Sequence, residues 1–577
     1  MIRQTPATRN SAAALLAVAT LLASGRTSAA ADVGAEPSTK AVNVKQFGAI
    51  GDGVASETAA IQRAIDACHD AGGGDVRVPA GDFQIGTIVL KSNVTLSLDF
   101  GASLLGSTDK ADYPTDGIDD PREGGPHCLI YANGATNIAI EGLGVIDGRG
   151  TPEHFPRLRS GGKNGGLRPR LLRMVNCDGL TFSGLTWKRP AFWGLHLIDC
   201  KNVRFDAVTI RFRNNNYNND GIDLDGCQRV LIENCDIDSG DDAICLKSSK
   251  NPCRNIVVRR CKVSSNTAAL KFGTSSRGGF IDVSVTNCYF FNCPMGAIKL
   301  QSVDGGRLEN VDISRIVMKN VGNPLFMRLG NRGSTFGDGR AGALVGTLKN
   351  IRVSDVVAEV AVEDRAKAAE AAYKNLEAAP NAGVTDKEKS KSGPIMITGL
   401  PGHYIEDVVL ENIKISYPGN GTQEDAKRVV PEDEHRYPEQ YFFGVLPAWG
   451  AYVRHAKNVQ FNNVELSTRG PDQRDKIVLD DVISSVSEAH HVAPPGPGDW
   501  SKVRLFGHAF RNDDFTPEQY GFIRDHFSIF TIEKRHAKNV YGATSTEHAA
   551  AETAKKLLKN NPDMRVLLYW STRAIAP

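Results

Sequence analysis

From Thr87 to about Val492 the chain alternates apolar and polar residues in short runs. Phrases such as TIVLKSNVTLSLDFGASLLGS, GLTFSGLTW, RVLIENCDI, NIVVRRCKV and FIDVSVTNCYF repeat at every second position, the period of a strand whose side chains point alternately to two faces. Val203, Val230, Ile256, Val283 and Leu308 recur at similar points with a period of roughly 25 residues. Three short strands and three turns per period fit one coil of a parallel β-helix, in which each coil buries its apolar side chains against the next. A propeller would need four strands and about 40 residues per unit. Upstream, VNVKQFGAIGDGVASETAAIQRAIDACHDAGGGDVRV reads as strand, Gly-Asp-Gly turn, helix, Gly-rich turn and strand. Ser56 is the expected N-cap, and Ala60, Ile61, Ala64, Ile65 and Cys68 fall on one helical face. The expected fold is all-β: a right-handed parallel β-helix with a short N-terminal helix and a small α/β C-terminal tail.

Later phrases, TLKNIRVSDVVAEV, YIEDVVLENIKISY and AKNVQFNNVELS, continue the pattern and extend the solenoid over residues 41–492. The Ala- and charge-rich stretch at 363–394 breaks it and reads as a helical, flexible insertion at an edge or over the cleft. Residues 493–498, rich in Pro and Gly, form a linker. Beyond it HFSIFTIEK, a helical stretch from Thr546 to Lys559 and MRVLLYWST read as strand, helix, strand, similar to the start of a (β/α) barrel. A barrel needs about 250 residues, so 499–577 is expected to be a partial module.

A formal net charge of +2 with no long basic run argues against a nucleic-acid partner. Arg3 and Arg9 precede an apolar run, Ala12 to Ala23, then small residues up to Ala31. This order is that of a Sec-type signal peptide over residues 1–30, and implies export to the periplasm or the extracellular space. No segment is long and apolar enough to span a membrane, and a monomer is expected. The chain has 11 Cys, an odd number. Cys177, Cys200, Cys235, Cys261 and Cys288 end similar phrases and lack the spacing of metal ligands, so a stack of small buried side chains is expected.

The densest chemistry lies in NNDGIDLDGCQRVLIENCDIDSGDDAICLKS, Asn218 to Ser248, with Asp220, Asp223, Asp225, Asp236, Asp238, Asp241 and Asp242. Aligning the repeats by their alternation superposes Ile222/Leu224, Ile244/Leu246, Leu270/Phe272 and Ile298/Leu300 as inward pairs. The outward column is then Asp223, Cys245, Lys271 and Lys299, on an exposed face, with Asp220 and the Asp241/Asp242 pair beside it. Adjacent Asp241 and Asp242 can share that face only where the backbone turns, and Gly240 is expected to permit the turn. Like charges this close should raise one carboxyl pKa, giving an acid beside a base. Asp225, Asp236 and Asp238 are assigned to turns and the surface.

NNDGID, GDDAICLKS and AIKLQS, in this order and at this coil spacing, resemble the Asn-Thr-Asp, Gly-Asp-Asp and Arg-Ile-Lys motifs of glycoside hydrolase family 28, the polygalacturonases and related pectin-degrading enzymes. RPAFWGLHLIDCKNV, with Trp193 and His196, resembles the approach to the first motif. The resemblance implies inverting hydrolysis without a cofactor or metal, with an acidic plant-type polysaccharide as substrate. Asp241 would protonate the leaving oxygen while Asp220 and Asp242 activate water, with acid and base about 6.5–9.5 Å apart. Lys299 would bind a uronate carboxylate and Asn218 would shape the first motif. His196 is a candidate substrate contact or a structural residue. Two departures stand out: Thr267-Ala268-Ala269 replaces Gly-His-Gly, and Ala297 replaces the Arg before Ile-Lys. Losing that bidentate carboxylate donor favours rhamnogalacturonan-like or substituted galacturonan over plain polygalacturonate. Lys271 is either a partial substitute or a solvated lysine, and Arg277 is a candidate to reach the cleft. A non-catalytic carbohydrate-binding solenoid and a calcium-dependent lyase are the competing expectations.

Overall fold

A computed structural model of the protein describes residues 41–115, 125–157, 167–213, 216–336, 345–362, 392–483, 505–509, 527–533, 553–557 and 565–569. The expected signal peptide, the core of the 363–394 insertion and the 493–498 linker lie outside these residues. No helix among the described residues is long and apolar enough to cross a membrane.

Residues up to Val486 form one unit. Every pairing between its described strands is parallel, and these strands belong to three ladders of a right-handed parallel β-helix. One ladder carries the column Leu180, Val203, Val230, Ile256, Val283 and Val311, whose later steps are 26 to 28 residues. Leu308 pairs with Phe280 rather than with Val283, so the repeat slips by three residues at that coil and Val311 takes the expected place. In the later coils two of the three strands fuse, as in the 14-residue strand Phe280–Cys293, which pairs with two separate strands of the preceding coil.

The ladder that builds the site contains β1 (Leu195–Ile198), β2 (Ile222–Asp225), β3 (Ile244–Ser248), β4 (Ala268–Ser276), β5 (Gly296–Ser302), β6 (Leu325–Leu329), β7 (Ile395–Thr398) and β8 (Ala448–Thr468). Its register stacks Leu195, Ile222, Ile244, Leu270, Ile298 and Leu325 inward. All six are buried in one continuous apolar core. Each such side chain taken fully from water contributes about 1.5–3 kcal/mol, and each coil therefore stabilises its neighbours.

The corners are made by residues with left-handed backbone, among them Asn137, Asn202, Arg229, Asn255, Asp282, Asn310 and Asn350. Asn tolerates this conformation better than other non-Gly residues, and its amide reaches the next coil. Asn310 Nδ2 donates to Asp282 Oδ1 at 2.8 Å and Asn350 Nδ2 donates to Asn310 Oδ1 at 2.7 Å. All 11 cysteines are free and buried, and seven of them form two columns rather than one. Cys177 and Cys200 stack with Cys227 and Cys253 at one corner, and Cys235, Cys261 and Cys288 stack at another.

The N-terminal end is capped by α1 (Thr58–Asp70), which buries Ala60, Ile61, Ala64, Ile65 and Cys68. Its N-cap is Glu57 instead of Ser56. The Glu57 carboxylate turns back to accept from Ile50 N and Gly51 N at 2.8 and 2.9 Å, tying the helix start to the preceding turn. The last solenoid strand is Asp475–Ile483. In a second unit, Ser487–Pro577, the described residues include three parallel strands, Leu505–Ala509, Phe527–Glu533 and Arg565–Tyr569, and a helical turn at 553–557.

Candidate active site

The outward side of the same ladder carries His196, Asp223, Cys245, Lys271, Lys299 and Phe326 in register. The sequence alignment of the coils is reproduced, but the face is not exposed: every one of these side chains is buried. At the earlier coils Trp193 packs on His196 and Lys247 on Asp223; at the later coils a segment between Ile405–Tyr417 and β8 folds back over the face. Arg454 donates to Val430 O and Pro431 O, Arg328 donates to Glu432 O, and Gln301 Nε2 donates to Pro438 O at 2.7 Å. Phe443 packs edge-on against Phe326 in a small apolar cluster with Met396 and Tyr452. The segment's signal in the sequence is its density of aromatics, Tyr437, Tyr441, Phe442 and Phe443, between two strand phrases.

Asp220, Asp241 and Asp242 meet at one corner of the coil. Strand Asp236–Ser239 ends there and β3 begins at Ile244, so the chain bends through the two acids. Gly240 N and Asp241 N both donate to Asn219 O at 3.1 Å, which pins the bend to the neighbouring coil. Gly240 is not in a left-handed conformation. The space around it is tight, since a Cβ would lie 3.1 Å from the Asn219 Cβ and 3.2 Å from Phe212 O. Asn219, fully buried, donates to Pro190 O and Phe192 O at 3.0 Å and is the residue that shapes the first motif. Asn218 lies beside it with left-handed backbone, accepting from Arg168 Nη2 at 3.2 Å.

One oxygen from each of the three acids lies within 4.8 Å of the others. The geometry could accommodate a cation, but Lys271 Nζ already stands 2.8 Å from Asp242 Oδ2. Thr267, at the position where the resembling motif has Gly before His, donates to Asp242 Oδ1 at 2.9 Å and to Asp241 Oδ1 at 3.2 Å. These neighbours split the pair. Burial and then the charge of Asp242 push the Asp241 carboxyl up to about 6. Burial would do the same to Asp242, but Lys271 and Lys299 outweigh it and hold that carboxyl below its usual range. Asp220 is pushed well up by burial, then by Asp223 and Asp241, and its Oδ1 has no hydrogen-bond partner. Asp223 is raised to about 7 by burial, against the pull of Lys247 at 3.4 Å.

Lys247 was not singled out in the sequence. It joins Asp220 at 4.0 Å and Asp223, and lies 4.3 Å from the Trp193 ring centre. His196 is buried edge-on against Trp193. Lys271 is no solvated lysine: it bridges Asp242 and Glu439. Lys299 meets Glu439 too, on the side where a uronate carboxylate was expected. Arg277 turns away from this cluster, donating to Thr335 O at 3.0 Å. Asp225 is not a surface residue: it is buried and accepts from Ser249 N and Oγ at 2.8 and 2.6 Å. Asp236 and Asp238 pair with Arg211 and Arg213 on the flank.

The sequence profile of glycosyl hydrolases family 28 matches residues 68–367. A "probable polygalacturonase" from Vitis vinifera is 30% identical over 334 residues, covering 54% of this chain and 67% of that one. An exo-poly-alpha-D-galacturonosidase from Dickeya chrysanthemi is 27% identical over 337 residues, covering 49% of this chain and 56% of that one. The chain thus spans only part of the length of these relatives. The crystal structure of a hyperthermoactive exopolygalacturonase from Thermotoga maritima superposes with a TM-score of 0.53 at 25% identity, covering 66% of this chain and 87% of that one. Parallel coils, a corner carrying Asp220, Asp241 and Asp242, and a profile match across those coils lead to one assignment: the chain belongs to glycosyl hydrolase family 28 and is a polygalacturonase-like glycoside hydrolase.

Proposed function

We propose that the protein cleaves glycosidic bonds in a pectic or related uronate-containing polysaccharide with inversion at the anomeric carbon. The observation that carries this reading is geometric: one oxygen of each of Asp220, Asp241 and Asp242 lies within 4.8 Å of the others, and Lys271 Nζ stands 2.8 Å from Asp242 Oδ2, which favours the ionised form of Asp242 while burial and the charge of Asp242 push Asp241 upward. Asp241, the one of the three acids that is not fully buried, keeps its proton in mildly acidic solution and delivers it to the leaving oxygen. Asp242 stays ionised beside Lys271 and takes a proton from the attacking water, with Asp220 Oδ1 as a second acceptor for that water.

The acids lie closer than the separation of about 6.5–9.5 Å usual between the two carboxyl groups of inverting enzymes. Water attack is nevertheless favoured over a covalent intermediate. Asp242 is tied to Lys271 and Thr267, and burial with the neighbouring acids pushes the Asp220 carboxyl well up, which disfavours either as an anionic nucleophile. We further propose that the chain acts outside the cytoplasm, as a monomer, without a metal or cofactor. Reducing ends released from a panel of pectic polymers test the activity. Proton NMR of the first product tests the stereochemistry: a new reducing end of opposite anomeric configuration is expected, and retention would overturn the water-attack scheme. An ultraviolet-absorbing unsaturated product lost on chelation would indicate a lyase, and binding without cleavage a carbohydrate-binding solenoid.

A further inference from the structure

Lys271 and Lys299 face the same way from β4 and β5, paired in register, and both are buried. Two adjacent ammonium groups beside the reacting acids are what a free uronate carboxylate would bind. In this molecule the chain supplies that carboxylate itself. Glu439 Oε1 lies 3.3 Å from Lys271 Nζ, and Oε2 contacts Lys299 Nζ. Glu439 is 3% exposed and Lys299 0%, so these charges are matched inside the protein rather than by solvent.

The fold holds Glu439 in this place. Pro438 O accepts from buried Gln301, two residues beyond Lys299 on β5, and the Tyr437 hydroxyl lies 3.1 Å from Lys271 Nζ. Asp242, Lys271, Glu439 and Lys299 form a chain of alternating charges that sums to zero. An arriving free carboxylate would find both ammonium groups engaged and two carboxylates nearby. A sugar without that charge meets no such repulsion, and the partly buried Tyr437 ring beside Lys271 adds an apolar edge.

We infer that Glu439 is a specificity-determining residue: it occupies the Lys271–Lys299 pair in place of a substrate carboxylate, so that the sugar seated there is a neutral one or an esterified uronate. The inference deepens the hydrolase reading and rests on it for the identity of the site, though not for its binding test. Galacturonate and its methyl ester are the probes, because they differ in one charge. By calorimetry, Glu439→Gln should bind galacturonate about tenfold or more tightly than the parent, and the methyl ester within about twofold of the parent. With trigalacturonate and its methyl ester as substrates, the same variant should shift the ratio of kcat/KM toward the free acid by about tenfold or more, chiefly through KM. If galacturonate affinity stays within about twofold, or the parent prefers the free acid, the inference fails. Absence of turnover on every polymer would defeat the hydrolase reading alone, and the binding shift would still decide this one. Should Glu439→Gln not fold, Glu439→Asp, which withdraws the carboxylate by one methylene, is expected to move galacturonate binding in the same direction.

Discussion

The two sides of the β1 to β6 ladder obey opposite rules. Inward, Leu195, Ile222, Ile244, Leu270, Ile298 and Leu325 are variations on one aliphatic theme. Outward, His196, Asp223, Cys245, Lys271, Lys299 and Phe326 share no common chemistry, although each is the next residue along the same strand. The inner column stabilises by repetition, since any coil can bury its neighbour. The outer column functions by difference, because each charge has a particular partner: Lys247 with Asp223, Lys271 with Asp242, Lys299 with Glu439. Changes inside should therefore alter stability and leave chemistry per folded molecule intact, and changes outside should do the reverse.

The strongest test on the outer side is Asp241→Asn. The amide cannot donate a carboxyl proton, so kcat should fall by about 10²–10⁴-fold while the unfolding transition stays close to that of the parent. Steady-state rates and circular dichroism melts on one preparation decide it. Parental turnover would remove Asp241 from the reaction. The matching inner test is Phe272→Ala, one residue from Lys271 and fully buried against Phe280. Its loss should destabilise by about 3–5 kcal/mol in guanidinium unfolding, with kcat per folded molecule retained at low temperature. Equal damage to kcat and stability from both variants would mean that the two faces are not separable.

Lys271→Met sharpens the contrast within the outer column. Lys271 lowers both Asp242 and Asp241, so removing its charge should move both carboxyls upward. In the parent, kcat/KM should fall as pH rises past about 6, where Asp241 loses its proton, and fall again at low pH where Asp242 gains one. In the variant both limbs of that bell should shift to higher pH, by about 1–3 units on the acidic side. Lys271 both pairs and hydrogen-bonds with Asp242, so the acidic limb should move further than the basic one, and the narrowed bell should have a lower maximum. A pH profile of unchanged position would show that Lys271 does not tune the acids.

The same contrast explains what could be read from the sequence. The coils were legible because inner alternation is written many times over, and the column Val203, Val230, Ile256, Val283 needed only its spacing. Asp220, Asp241 and Asp242 were legible because they interrupt the alternation at a bend. The cover over the outer face was not. Glu439 reaches Lys299 across 140 residues of chain, and such a pairing has no period to betray it. Lys247 was missed for a related reason: it reads as the polar position of strand β3, and only packing turns it toward Asp223. The single cysteine stack became two because phrases ending in Cys occur at two corners of a coil, and a local phrase does not say which corner it occupies.

The smallest effect tests the corners that join the two faces. Asn310 has φ of 60°, in the left-handed region, and its amide links Asp282 below to Asn350 above. Two explanations of such an Asn make different predictions. If conformation dominates, Asn310→Ala should destabilise by about 1–2 kcal/mol, because Ala carries a Cβ into the left-handed region. Asn310→Gly would relieve that strain and lose only the greater freedom of the unfolded chain, about 0.5–1 kcal/mol. If the amide ladder dominates, both variants lose the same hydrogen bonds and should be destabilised alike. These bonds are exposed, where protein and water are nearly equivalent partners, so the conformational term should win and Ala should be the worse of the two. Guanidinium unfolding of the pair measures the difference, and equal midpoints would assign the corner to its hydrogen bonds rather than to its backbone.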